Sequence, residues 1–217
     1  MTRYTHGQHP TVTDSYRWRD AENSVAYALG EMVPGRSLLD VGCGPGSITV
    51  DLARRVAPGR VTAVDASAEA VELARATARE AGVEGIEFLV ADVHDLDLPE
   101  GSFDVVHAHQ VLQHVADPVR ALERMRRMVA PGGVVAVCDS DYSGMHWYPP
   151  LPELEEWMRL YQRIARRNGG EPDAGRHMLA WARQAGFEDV TYVAEVWNHS
   201  DPDRRAWWGG MWARRIL

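Results

Sequence analysis

Lysine is absent from this chain: all 23 basic residues are arginine, set against 31 acidic ones, and the net charge is −8. Such an anionic balance disfavours nucleic acid or an anionic membrane as the principal partner, because both would repel it. The missing lysine reads as compositional bias rather than chemistry, since the arginines fall mostly on the polar faces of predicted helices. Cysteine is nearly absent as well. Cys43 and Cys138 make no metal-ligand spacing, and parallel-strand geometry gives little reason to pair them, so a reducing, cytoplasmic location is expected. No apolar run reaches the length of a membrane span, and the opening MTRYTHGQHP has no apolar core; neither a transmembrane helix nor a signal peptide is predicted. Internal repeats, low-complexity tracts and heptads are missing too. What remains is a 217-residue chain that is 45% hydrophobic, enough for one core and one α/β domain.

Periodicity and punctuation predict the elements. Residues 1 to about 15 are polar and turn-rich and read as a mobile arm, followed by a helix over roughly Tyr16 to Met32 that Pro34-Gly35 stops. Strands at 37–42, 60–65, 86–91, 103–109 and 133–139 then alternate with helices at 46–57, 68–81 and 118–130. That alternation predicts a doubly wound, mostly parallel sheet with right-handed crossovers. Ser67 and Asp117 are the expected caps, with Pro118 in the first turn, and Gly82 and Pro131-Gly132-Gly133 are the expected helix stops. The segment at about 142–186 departs from the alternation as a helical insertion. Phe187 to Trp197 is the last strand candidate, and Asp201 to Leu217 reads as a tryptophan-rich helix. The organisation expected is an N-terminal arm and lid helix over 1–35 and one ligand-binding domain over 36–217.

The chemistry is concentrated at strand ends. LLDVGCGPGSIT, residues 38–49, is an apolar strand closing in Asp40, then a loop with Gly42, Gly44 and Gly46, then a helix start. Such a loop lets something lie against bare main chain. Its spacing is GxGxG, not the GxGxxG of a dinucleotide fingerprint, and this counts against a nicotinamide-dependent oxidoreductase, the less favoured alternative. RVTAVD ends in Asp65, about 20 residues after the loop, where a nucleoside-binding unit places the acid that holds the ribose hydroxyls. IEFLVAD ends in Asp92, and FDVVHAH ends in His109. Each has a plainer reading. Asp65 and Asp92 can cap the segments that follow them, Cys43 can be loop filler, and His107 can be a satisfied core histidine pointing the same way as His109. A metal site drawn from His107, His109, His114 and Asp139 or Asp141 lacks any compact ligand motif, and none is expected.

Motif I (Asp40 with GCGPG), the acid at Asp65, VAD at 90–92, FDVV at 103–106 and APGG at 130–133 together resemble the class I S-adenosylmethionine (SAM) methyltransferases. The branch they are similar to is the ubiquinone/menaquinone-biosynthesis-like one (methyltransferase types 11 and 25). The resemblance covers about residues 36–140 and implies a Rossmann-like fold with SAM as cofactor. It places Asp40, Gly42, Gly44 and Gly46 at the methionine part of SAM, Asp65 at the ribose, Ala66, Asp92 and Val93 at the adenine, and His109 and Gln110 near the transferable methyl. Strand four ends in HQVL, not the Asn/Asp-Pro-Pro-aromatic motif of enzymes that methylate base or amide nitrogens, which moves nucleic-acid bases down the list. Relatives of this fold close their sheet with a hairpin of strands six and seven; here a helix stands where strand seven would be, so the final strand is expected to be missing and the open edge makes a homodimer plausible.

Methyl transfer from a sulfonium is an in-line displacement, so alignment and exclusion of water carry most of the reaction and a base is optional. If a base is used, His109 and His114 are the candidate catalytic residues, expected near a neutral pKa, with Tyr142 and His146 next. The aromatic stretch Tyr142, Met145, His146, Trp147 and Tyr148 and the segment 1–32 are expected to recognise a hydrophobic or planar small molecule of specialised metabolism; Tyr16, Trp18, Trp147 and Trp157 packing the helices is the alternative. The competing function is a SAM-binding protein that does not methylate.

Overall fold

A computed structural model describes residues 18–216 of the chain. The arm expected over residues 1 to 15, and the start of the helix expected from Tyr16, lie outside the described residues. Five strands, β1 (Leu38–Val41), β2 (Val61–Asp65), β3 (Ile86–Val90), β4 (Phe103–His109) and β5 (Val129–Cys138), form one sheet in the order β3-β2-β1-β4-β5. Every pairing is parallel. The helices are α1 (Ala21–Ser24), α2 (Ser47–Val56), α3 (Ala68–Glu80), α4 (Pro118–Met128), α5 (Pro152–Arg167), α6 (Ala174–Gln184) and α7 (Pro202–Ile216).

The central strand β1 is buried at every residue, as a parallel strand covered on both faces must be. Alternation splits its side chains. Leu39 and Val41 join Val106, Ala108 and the α4 residues Leu122 and Met125 on one face, while Leu38 packs with Val105 and the α2 residues Leu52 and Val56 on the other. Asp40 and His107 stand opposite each other in the β1–β4 register, on the α2 face. The caps form as expected: Ser67 accepts from the Ala70 amide at 3.2 Å, and Asp117 from the Arg120 amide at 2.9 Å.

Three expectations are corrected. The long helix over 16–32 is instead the four-residue α1 followed by a 3₁₀ turn over Ala26–Glu31. Asp20 and Asn23 form a reciprocal capping box that starts the helix late, and Val25 then leaves helical geometry at φ −127°. Pro131-Gly132-Gly133 does not end α4, which stops at Met128; these residues lie within β5, where the register against β4 shifts between Phe103 and Val105. Gly133 fits there because a Cβ would stand 2.5 Å from the Asp104 carbonyl oxygen. The sixth strand expected at 187–197 is irregular chain. Its apolar residues Tyr192, Val193 and Val196 are exposed, so beyond Phe187 the segment buries little, and among the described residues it forms no ladder with a neighbouring strand; strand propensity without pairing makes no strand. The sheet described thus has five strands, with the final strand of the resembled fold missing among the described residues.

Candidate active site

The carboxyl ends of β1, β2 and β4 open onto one cavity of about 370 Å³, within the usual range for a small-molecule site. Among the expected residues, Asp40, Gly42, Gly44, Asp65, Ala66, Asp92, Val93, His109, Gln110 and His114 all line it. Gly46 does not. Its place is structural: at φ +83° it opens α2, and a Cβ there would meet the Ala74 Cα at 2.9 Å. Gly42 is held open by packing too, since a Cβ would stand 2.4 Å from a Val111 methyl. Gly44 differs from both. A Cβ on it would meet no protein atom within 4 Å, and the residue faces the cavity, so its bare main chain is kept for something other than the protein.

Asp65 binds the loop to the second strand. One carboxylate oxygen accepts from the Gly44 amide at 2.9 Å and the other from the Ser67 amide at 2.9 Å. Burial nevertheless pushes its pKa above the ordinary carboxylate range, against the pull of those two hydrogen bonds. Further hydroxyl donors, such as a vicinal diol, would relieve that burial. Asp92 caps the short turn after β3: it accepts from the His94 amide at 2.9 Å and from the His94 ring at 2.7 Å. Partial burial works upward on it, but the bonds from His94 prevail and hold its pKa low. The capping role and a place on the cavity wall therefore coexist at Asp92.

Asp40 and His107 were not expected as a unit. Asp40 is buried; one oxygen accepts from the Thr49 hydroxyl at 2.6 Å and the other lies 2.7 Å from His107 Nδ1. His107 lines the cavity, and its Nε2 is buried with no hydrogen-bond partner among the described residues. His109 is likewise buried, and neither of its ring nitrogens has one. A buried polar atom left without a partner costs about 1–3 kcal/mol, so three such nitrogens around one cavity are suited to a polar ligand. Strand alternation and the pairing of β4 with β1 were the sequence signals that point to His107. Arg19 had none. It reaches the cavity from the segment before α1, donates to Gln110 Oε1 at 2.6 Å, and its guanidinium lies 5.6 Å from the Trp197 ring centre.

The histidines do not have the near-neutral pKa expected of them. Burial, reinforced by the Arg19 charge, drives His109 well below its ordinary value and brings His114 to about 4. Both are therefore neutral at pH 7 and weak as bases. Asp139, half-buried at the end of β5, accepts from the Leu112 and Gln113 amides at 3.0 and 3.2 Å and fixes the turn that carries His114. Among the described residues no cluster could hold a metal ion. The aromatic stretch after β5 also serves packing rather than the cavity. Tyr142 packs on Tyr161 at 4.3 Å between ring centres, with Trp157 and Trp212 beside them, and Tyr148 is almost wholly exposed. The aromatic rings next to the cavity wall are instead Trp197, stacked on His109 at 6.3 Å, and Trp18, edge-on to Trp197 at 5.5 Å.

Comparison with known proteins gives a consistent set of relatives. Residues 33–197 match a family profile described as a methyltransferase domain. An uncharacterized methyltransferase of Schizosaccharomyces pombe is 31% identical over 99% of this chain and 80% of its own length. The demethylmenaquinone methyltransferase of Lactococcus lactis is 34% identical over 76% of this chain and 70% of that one. The crystal structure of a SAM-dependent methyltransferase from Aquifex aeolicus superposes with a TM-score of 0.66, covering 88% of this chain and 94% of the other at 22% identity, a likeness of fold.

Proposed function

Because the chain belongs to the methyltransferase-domain family of SAM-dependent enzymes, we propose that the strand-end cavity holds SAM and directs its methyl group to a small-molecule acceptor. The observation that carries this reading is the convergence of Gly44, Asp65 and the open ring nitrogens of His107 and His109 on one cavity. Asp65 receives the ribose hydroxyls, Ala66, Asp92 and Val93 border the adenine, and Gly44 lets the cofactor lie against main chain. His109 and Gln110 stand toward the reacting end. When bound, SAM supplies an electrophilic methyl on a sulfonium. The protein's part is to orient the acceptor and exclude water, a task to which Arg19 on the cavity wall and the Trp197 and Trp18 rings packed beside it are suited.

An oxygen, nitrogen or carbon nucleophile can be served. His109, neutral and with open ring nitrogens, can hold a hydroxyl or amine proton without being a strong base. The net charge of −8 and the aromatic rings next to the cavity wall support a small acceptor over a nucleic acid. Relatives are named for varied acceptors: demethylmenaquinone in Lactococcus lactis, and malonyl-[acyl-carrier protein], O-methylated, in Pseudescherichia vulneris. No helix of the described residues is long and apolar enough to cross a membrane, and the free thiols of buried Cys43 and half-buried Cys138 support a reducing compartment. The test is S-adenosylhomocysteine release from SAM across a panel of phenols, enols, amines and carboxylates. Acceptor-dependent release is expected, with loss in Asp65→Ala; tight SAM binding with no release for any acceptor would favour the non-methylating alternative.

A further inference from the structure

Asp40 is the acid that motif I brings to the methionine end of the cofactor, yet each of its oxygens is engaged by the protein, one by the Thr49 hydroxyl and one by His107 Nδ1. The groups in contact with it settle which way the protons point. A carboxylate accepts, so Nδ1 carries a proton, and in the neutral imidazole Nε2 is then the nitrogen that accepts. That Nε2 is buried, has no partner among the described residues, and belongs to a cavity-lining residue that is itself 0% exposed. It needs a donor. Resting on the cavity reading above, the adenosine end of SAM is directed to Asp65 and Asp92, on β2 and after β3. On the β1–β4 side, where His107 lies, the methionine part offers one strong donor, its α-ammonium, while its α-carboxylate can only accept. Arg19, a cation on the same wall, has the chemistry for the carboxylate.

We propose that His107 Nε2 accepts a hydrogen bond from the cofactor's α-ammonium, and that Asp40 is a positioning residue that acts through His107. The motif I acid is then one hydrogen bond removed from the ligand. Its job is to fix the imidazole tautomer from behind, as a carboxylate does for a metal-binding histidine. Thr49, from α2, in turn fixes Asp40.

Calorimetry with three probes separates this from a structural role: S-adenosylhomocysteine, its deaminated keto-acid analogue, which keeps the carboxylate, and 5′-methylthioadenosine, which lacks the amino-acid part. The double variant Asp40→Asn/His107→Phe avoids stranding a buried carboxylate. It should bind S-adenosylhomocysteine at least tenfold more weakly than the wild type, and the other two probes within about twofold. Equal weakening of all three probes, or unchanged S-adenosylhomocysteine binding, overturns the proposal. Loss of the keto-acid analogue alongside S-adenosylhomocysteine also overturns it, because His107 would then serve the carboxylate. Should the variant not fold, the ¹⁵N-histidine spectrum of the wild type decides. One imidazole with a protonated Nδ1 should shift at Nε2 on addition of S-adenosylhomocysteine and not of 5′-methylthioadenosine; no selective shift overturns the assignment. Asp65→Ala must weaken all three probes through the shared ribose, and its failure to do so would count against the cavity reading itself, whatever His107 does.

Discussion

Gly44 and Gly46, neighbouring glycines of the loop, are expected to fail in different ways when given a methyl group. Gly44 has φ +54°, and a Cβ there meets no protein atom within 4 Å. Gly44→Ala therefore carries only the left-handed backbone penalty of about 1–2 kcal/mol, a loss of roughly 4 °C in Tm for a domain of this size. Gly46 has φ +83°, and its Cβ would stand 2.9 Å from both the Cα and the Cβ of Ala74, atoms of α3 that cannot swing away. Overpacking adds about 1–3 kcal/mol to the backbone penalty, so Gly46→Ala should lose about 2–5 kcal/mol and roughly 10 °C. Binding should reverse the order. Gly44 faces the cavity, so its new methyl occupies space reserved for the cofactor and should weaken S-adenosylhomocysteine at least tenfold, about 1.4 kcal/mol. Gly46→Ala, measured on folded protein at low temperature, should bind nearly as the wild type does. Thermal melts with and without ligand, together with calorimetry, read both quantities. Unchanged affinity in Gly44→Ala would refute the close-approach argument, and a Gly46→Ala melt no lower than that of Gly44→Ala would refute the packing argument.

Stability against pH should show two opposed slopes. Burial raises Asp139 to about 7, so its contribution is present below about pH 4 and fades as pH rises toward 7; burial lowers His114 to about 4, so its contribution is present above about pH 6.5 and fades as pH falls toward 4. Asp139→Asn removes the first slope, and its unfolding free energy should fall more steeply than the wild type's on acidification from pH 7 to 5, by up to about 1.4 kcal/mol per pH unit; parallel curves would show that Asp139 does not titrate there. Trp197→Ala uncovers His109, whose pKa is held down first by burial and then by Arg19, so the imidazole should titrate at higher pH in an NMR titration. An unmoved titration would place the desolvation elsewhere. Met125→Ala opens a cavity between α4 and the sheet at a fully buried position and should lose about 2–5 kcal/mol in denaturant unfolding; a loss under 1 kcal/mol would mean the core closes over the gap.

The order of the five strands, the parallel sheet and the acids and glycines at the strand ends were legible in the residues, because each rests on local chemistry. An apolar strand followed by an acid and glycines announces its own turn, and the acids at Asp65 and Asp92 end strands whose direction alternation had already set. The functional meaning of each glycine was not legible. Gly42, Gly44 and Gly46 look alike in sequence, and only their neighbours separate them: Val111 for the first, Ala74 for the third, and open cavity for the second. The same holds for strand six. Phe187 to Trp197 has the composition of a strand, but a strand exists only where another offers its hydrogen bonds, and here the segment stays irregular with Trp197 laid over His109.

Charge and proton state were decided later still. Sequence names a histidine but not its surroundings, and burial is what takes His109 and His114 far from the near-neutral pKa that their type suggests. His107 is the clearest case of the division. Its residue type and its alternation with His109 were fixed by the chain alone. Its pairing with Asp40, 67 positions away, came from the β1–β4 register, and a register is a property of two strands brought together. The sequence by itself determined which elements form and which acids and glycines end them. The tertiary structure decided which of those groups meet, which are dry, and which are left without a partner, because contact and desolvation between distant residues have no local signature.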